Sequence, residues 1–311
     1  MAGKYIVGID VGATNIKAGL IKNHRIISRI ILPTRDFSSQ RQLINGLVYA
    51  IRDCLLKGAS LKRQRILGIG LGLPGLINFK KGIVHYLPNI KGWKNVPLRK
   101  IIQKRTGLPV FIDNDANLMS LAEARLGAAK GKNNVVGITL GTGVGAGIIL
   151  NGKLYRGANF AAGEIGHLPI NEEGPKCSCG GAACLERYIG NRYIEGELRK
   201  IFKKNISLEK SSELAARGNL KATKIWETVA GHLGIALSGV VNLLNPEVIV
   251  IGGGVSAAGG IIFDNVRRII RERAMLPQSM AVKIVRARLG NDAGMMGAGL
   301  LVEEELGREP G

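Results

Sequence analysis

One pattern occurs twice in this 311-residue chain. Gly8-Ile9-Asp10-Val11-Gly12 opens a stretch that continues through Ala18-Gly19-Leu20-Ile21 and Asn23-His24-Arg25-Ile26-Ile27. Gly137-Ile138-Thr139-Leu140-Gly141 opens another, which continues through Ala146-Gly147-Ile148-Ile149 and Asn151-Gly152-Lys153-Leu154-Tyr155. Removing one residue between the glycine turn and the Ala-Gly pair brings the two into register. Each reads as strand, glycine-rich turn, strand, tight turn, strand. Such a hairpin, used twice, predicts two lobes built on one scaffold and facing each other across a cleft.

The remaining pattern alternates strands with helices, so the fold class is α/β. Strands are expected at Tyr5–Asp10, Asn15–Ile21, Ile26–Leu32, Ile66–Leu73, Pro109–Ile112, Val135–Leu140 and Glu247–Ile251. Helical spacing marks Gln40–Leu56, about Ala116–Leu126, Ala222–Leu244 and Ile261–Arg273. In the first of these Leu43, Leu47, Ala50, Ile51, Cys54 and Leu55 share one side, and Cys54 reads as a buried core thiol. Asp113, Asn114 or Asp115 could cap the second.

The length suggests two domains, and 46% apolar against 22% charged residues excludes a disordered chain. The 44 glycines follow no three-residue period, which excludes collagen. No apolar run approaches a membrane span, and a polar, strand-like start stands where a signal peptide would, so no membrane partner and a cytoplasmic location are expected. Charge is the unusual quantity, at a formal +21. Residues 1–115 hold 20 basic and 5 acidic side chains, and the first glutamate is Glu123. A lobe of that sign attracts polyanions: nucleotides, polyphosphate, nucleic acid or an anionic membrane. A merely solvated basic face is the plainer account.

Three glycine clusters each follow an apolar strand. Gly12, and then Gly141, Gly143 and Gly145, let backbone N–H groups approach a phosphate, with Thr14 and Thr142 as hydroxyl donors and Lys17 as a cation. Neither is a Walker A loop or a dinucleotide fingerprint. Asp10, ending the first strand, suits a metal ion held directly or through water. Gly252-Gly253-Gly254-Val255-Ser256 lies beyond the carboxyl end of a buried strand, where α/β folds bind ligands. Three clusters together point to a nucleotide.

His167, Cys177, Cys179 and Cys184 form a His-x9-Cys-x-Cys-x4-Cys pattern. One imidazole and three thiolates favour tetrahedral zinc with no open position, hence a structural ion. A disulfide is the alternative, and no secretory signal supports the oxidising compartment it needs. Glu164 precedes His167 by three residues and Glu186 follows Cys184 by two. Two carboxylates bracketing a metal loop suit hydrogen bonds to a polyol.

These residues together resemble the ROK family (repressors, open reading frames and kinases), and within it the bacterial sugar kinases of glucokinase type. The resemblance rests on the run Gly8 to Lys17, on Leu73-Pro74-Gly75, Asn114-Asp115-Ala116-Asn117 and Gly141-Thr142-Gly143-Val144-Gly145, and on Glu164-Ile165-Gly166-His167. The cysteine loop through Leu185-Glu186 and the third glycine cluster complete it. It implies an actin-like ATPase fold, a duplicated RNase H-like architecture of two lobes around a central cleft. The small lobe would be residues 1–115, rejoined by a C-terminal helix at about 293–311, and the large lobe residues 116–292.

The resemblance further implies transfer of the ATP γ-phosphoryl group to a hexose, most simply glucose, with Mg²⁺ accompanying ATP and structural Zn²⁺. Asp115 matches the general base. Gly75, Asn114, Asp115, Glu164, His167 and Glu186 match the sugar pocket, His167 serving both zinc and a sugar hydroxyl. Asp10, Gly12, Thr14, Lys17, Gly141, Thr142, Gly143, Gly253 and Gly254 fall to the nucleotide. Relatives acting on N-acetylmannosamine, N-acetylglucosamine, allose or fructose share these motifs, some use polyphosphate, and dimers are common among them, so a homodimer is expected. Sugar-responsive regulators in the family carry an N-terminal winged helix; with the phosphate hairpin at Tyr5 there is no room for one, and nothing resembles a recognition helix, so nucleic acid is not an expected partner.

Two details blur the pattern. Ala183 stands where the signature usually has glycine, which matters if that position requires a positive φ. Asp113 lies two residues from Asp115, on the same side if the segment is extended; only the family register selects Asp115, leaving Asp113 as a helix cap.

Overall fold

The computed structural model describes residues 4–57, 66–88, 90 and 92–307. The chain divides into two compact units. Met1–Ala122, Arg156–Ala162 and Asn291–Gly311 make the first, and Glu123–Tyr155 with Gly163–Gly290 make the second.

In the first unit β1 (Tyr5–Val11), β2 (Asn15–Lys22) and β3 (Arg25–Pro33) form the expected antiparallel meander. Helix α1 (Gln40–Lys57) then leads to β4 (Ile66–Leu73), a small hairpin of β5 (Ile77–Asn78) and β6 (Ile83–Val84), α2 (Leu98–Thr106), β7 (Val110–Asn114) and α3 (Asp115–Arg125), whose last residues from Glu123 on belong to the second unit. The sheet order is β3-β2-β1-β4-β7, with β4 parallel to β1 and β7 parallel to β4. Leu43, Leu47, Ala50, Ile51 and Cys54 of α1 are buried against this sheet, and Leu55 partly so. Each fully buried leucine or isoleucine is worth about 1.5–3 kcal/mol. Burial pushes the Cys54 thiol up to about 12, as expected of a core cysteine.

The second unit repeats the plan. β8 (Val135–Leu140), β9 (Val144–Leu150) and β10 (Lys153–Tyr155) form the meander. After α4 (Glu186–Ile189), α5 (Asn191–Phe202), α6 (Leu208–Ala216) and α7 (Leu220–Leu244) come β11 (Val248–Gly252), α8 (Gly260–Arg273), α9 (Leu276–Ala281) and β12 (Lys283–Arg286). The order is β10-β9-β8-β11-β12, again two antiparallel and two parallel pairings. The two meanders differ where the sequences do. The first turn spans Gly12 to Asn15 between the pair Val11 and Ile16, the second Gly141 to Gly143 between Leu140 and Val144.

Helix α7 is long and apolar enough to cross a membrane by length and composition alone, although its apolar residues form no uninterrupted run. Ile225, Trp226, Val229, Leu233, Leu237 and Val241 are buried in the second unit's core, which accounts for that composition. The last helix among the described residues, α10 (Ala293–Gly307), belongs to the first unit; the expected extension to 311 includes residues 308–311, which lie outside the described residues.

Candidate functional site

In the first unit the expected residues gather at the carboxyl ends of three neighbouring parallel strands. Asp10 on β1 is the register partner of Gly72 on β4, and Gly72 of Asp113 on β7. Across the hairpin Asp10 faces Lys17. Burial raises the Asp10 carboxyl above its usual range, and Lys17 works against that rise. Lys17 Nζ also donates to the carbonyl of Asn291 at 3.0 Å. The turn itself is braced by Thr34, whose hydroxyl donates to Gly12 O at 2.8 Å while its N–H donates to Thr14 O at 2.9 Å. A hard carboxylate in this place fits Mg²⁺, which binds through one or two carboxylates plus phosphate oxygens.

Asp115 opens α3 immediately after β7, where unpaired N–H groups of a first helical turn favour negative charge. Its Oδ1 accepts from the N–H of Ala116 at 2.8 Å. Asn114 is the capping side chain, accepting from Ala116 N at 2.9 Å and Asn117 N at 3.3 Å, and donating to Gly75 O at 3.3 Å. Two expectations about Asp113 are thereby corrected. The strand ends at Asn114, so simple alternation does not relate Asp113 to Asp115. Nor is Asp113 a cap: it is 2% exposed, and its Oδ2 lies 2.7 Å from both Nε and Nη2 of Arg156.

In the second unit two glycine clusters end adjacent parallel strands, since Gly252 on β11 is the register partner of Thr139 on β8. Gly253 has φ 88°, and a side chain there would run into the backbone of Leu140, so the position requires glycine. Gly254 starts the short turn that follows, and Ser256 Oγ donates to Gly253 O at 2.7 Å. The Gly141–Gly143 turn is closed by Gly141 N–H to Gly143 O at 3.0 Å and exposes Thr142. It is held from outside by Asn191 N–H on Gly141 O at 3.1 Å, and by Glu186 Oε2, which accepts from Val144 N–H at 2.9 Å. One oxygen of Glu186 is therefore committed to the turn.

The ligand atoms of His167, Cys177, Cys179 and Cys184 all lie within 4.8 Å of one another. Cys179 Sγ and Cys184 Sγ are 3.6 Å apart, and Cys177 Sγ lies 3.7 Å from His167 Nδ1. A tetrahedron with metal–sulfur bonds of about 2.3 Å has edges of roughly 3.8 Å, so the donor set fits zinc. All four cysteines are free. Burial pushes the Cys177 thiol up, but hydrogen bonding with Cys179, His167 and Cys184 brings it down to about 7. His167 turns its other nitrogen, Nε2, toward Glu164 Oε2 at 3.9 Å. Burial raises the Glu164 carboxyl, His167 counteracting and Glu186 adding to the rise. Ala183 has φ 54°, the circumstance in which its methyl matters; a left-handed alanine costs about 1–2 kcal/mol. The four donors converge nonetheless.

Three contributors escape sequence reasoning. Thr34 and Arg156 act on partners distant in sequence, Gly12 and Asp113, and neither sits in a recognisable motif. Gly294 opens α10 against Asp10, and a Cβ there would come within 2.6 Å of the carboxylate carbon. An apolar, glycine-containing run such as Ala293–Gly297 reads as a helix core and gives no sign of that neighbour.

Residues 6–305 match the ROK family. A glucokinase of Halalkalibacterium halodurans is 36% identical, over 98% of this chain and 97% of its own. The ROK family glucokinase of Streptomyces griseus, solved with glucose and AMPPNP, has a TM-score of 0.83 at 29% identity, covering 96% of this chain and 99% of that one. A ROK family transcriptional regulator homologous to the MLC protein of E. coli has a TM-score of 0.89 at 30% identity, covering 97% of this chain and 78% of the regulator. With the same strand order in both sheets, the fold is the actin-like ATPase fold. A match running from the first strand into the last helix leaves one conclusion: the chain belongs to the ROK family.

Proposed function

We propose that this ROK-family sugar kinase transfers the γ-phosphoryl group of ATP to glucose, giving glucose 6-phosphate and ADP, with Asp115 as the general base. The observation that carries the proposal is the position of Asp115, first in α3 and flanked by the Asn114 cap that also reaches Gly75. Its carboxylate takes the proton of the sugar hydroxyl as that oxygen bonds to the γ-phosphorus and the bond to the β-phosphate oxygen breaks. A positioned base contributes about 10²–10⁴-fold. Orientation of sugar and phosphates supplies most of the remainder.

In this reading Asn114, Glu164, His167, the free oxygen of Glu186 and the backbone at Gly75 hold the sugar. Gly12, Thr14 and Lys17, with Gly141, Thr142, Gly143, Gly253 and Gly254, hold the nucleotide. Asp10 would hold Mg²⁺, which neutralises charge on the phosphates. His167, Cys177, Cys179 and Cys184 would hold zinc, whose part is to keep Glu164, His167 and Glu186 in place. Glucose is favoured over other hexoses by the glucokinase relatives, one solved with glucose and an ATP analogue.

A coupled ADP-release assay over glucose, N-acetylmannosamine, N-acetylglucosamine, allose and fructose tests the substrate, with inorganic polyphosphate replacing ATP in a parallel series. The highest kcat/KM on glucose with ATP is expected. Preference for an N-acetylhexosamine, or turnover with polyphosphate only, would replace that part of the reading. The similarity to a regulator supports one further alternative: sugar binding without turnover on any sugar would assign the chain to sensing.

A further inference from the structure

Residues Arg156–Ala162 belong to the first unit although both flanking segments belong to the second. Their attachment is specific. The Arg156 guanidinium lies 3.8 Å over the Phe79 ring and pairs with Asp113. Phe160, at φ 66°, packs against Phe79, Leu118, Ala298 and Leu301, its ring 6.5 Å from that of Phe79. Ala162 N–H closes the loop on Arg156 O at 3.0 Å.

We infer that Arg156 is a positioning residue for phosphoryl transfer, acting through Asp113 on the strand–helix junction that carries Asn114 and Asp115. Arg156 occupies Asp113 Oδ2, which leaves Oδ1 to accept from the Asn114 N–H at 2.8 Å and from Asn117 Nδ2 at 3.0 Å. Asn114 in turn caps α3 and binds Gly75 O. Asp115 is thus enclosed between two residues that Asp113 fixes directly. The Asp113 side chain is 3% exposed and that of Arg156 10%. A buried ion pair adds little net stability compared with an apolar pair of the same size, because desolvation offsets attraction. What it provides here is direction: a planar guanidinium can hold one carboxylate oxygen and leave the other free. The inference rests on the proposed role of Asp115.

The test compares wild type, Arg156→Met, Arg156→Lys and the neutral pair Asp113→Asn/Arg156→Gln. Steady-state kinetics are measured with glucose and ATP, hydrogen exchange on the segment spanning Val110–Asn117, and thermal melting. The expected result for Arg156→Met is a kcat lower by about 10–100-fold, with both KM values within about threefold and faster exchange confined to the junction. Arg156→Lys recovers part of kcat, and the neutral pair more than Arg156→Met does. Wild-type kcat in Arg156→Met, a loss confined to KM, or exchange raised uniformly through the first unit would overturn the inference. Should Arg156→Met not fold, the neutral pair decides on the same criteria. Absence of turnover in wild type would instead refute the kinase reading, and unchanged junction exchange in Arg156→Met would then still refute this one.

Discussion

Glu186 accepts the backbone N–H of Val144 at 2.9 Å, so a side chain two residues beyond the last cysteine holds the second glycine turn. A Cβ at Gly143 would lie only 2.6 Å from the same oxygen, which shows how closely carboxylate and turn fit. In the proposed reading, sugar and nucleotide residues of the second unit therefore share one carboxylate. Glu186→Ala is expected to raise the KM for ATP as well as that for sugar, each by about 10-fold or more, since a hydrogen bond to a charged group is worth about 1.5–3 kcal/mol. Glu186→Gln, which keeps an acceptor oxygen, should spare ATP. Steady-state kinetics with each substrate varied separate the two effects; an unchanged ATP KM in Glu186→Ala would count against the shared role.

Asp115→Asn should lower kcat by about 10²–10⁴-fold while glucose binding, followed calorimetrically, changes less than about threefold. Asn preserves size and much of the local hydrogen bonding at the helix start. Near wild-type kcat would remove Asp115 as the base.

Elemental analysis of the purified chain should find one zinc per molecule, and Cys177→Ser or Cys184→Ser should lose it. Chelator treatment is expected to lower Tm by about 5–10 °C, the equivalent of a few kcal/mol. Sugar affinity should fall more than ATP affinity, because His167 and Glu164 adjoin the loop. Full thermal stability without metal would exclude a structural ion.

Much of this framework is legible in the sequence, and the reason is repetition. The strand of a meander carries its own period, and the second copy corroborates the first; the strands expected at Tyr5–Asp10 and Val135–Leu140 are found at Tyr5–Val11 and Val135–Leu140. Elements with little apolar content are not legible. Helix α2 carries Arg99, Lys100, Lys104 and Arg105 and buries only Leu98 and Ile102, and β12 buries Ile284 alone. The metal loop is readable because its four ligands lie within eighteen residues. The pairing of Asp113 with Arg156 spans forty-three positions and has no local mark, so a helix cap is what Asp113 suggests in isolation.

Stability should depend on pH through Glu247. Its carboxylate accepts from Asn133 N at 2.8 Å and Asn134 N at 3.0 Å, with Lys132 Nζ at 3.2 Å, tying the approach to β8 to that of β11. These partners, the two backbone amides first, lower its pKa below the usual 4.5. A carboxylate depressed on folding stabilises above its unfolded pKa, and that contribution disappears as pH falls through the folded value. Glu247→Gln is therefore expected to melt a few degrees below wild type at pH 7, the gap closing below about pH 4. Melting curves across pH 3–8 check this; a gap independent of pH would assign the effect to hydrogen bonding alone.

The two meanders share a strand order but differ in one cross-strand pair. Where the first places Asp10 opposite Lys17, the second places Thr139 opposite Gly145, and the Thr139 hydroxyl donates to that glycine's carbonyl at 3.3 Å. A carboxylate repels an anion once it ionises, unless a cation screens it. A hydroxyl satisfied by its own hairpin repels nothing. One cross-strand pair thus gives each copy its own chemistry: a carboxylate facing an ammonium in the first, and in the second a hydroxyl already satisfied within its own hairpin.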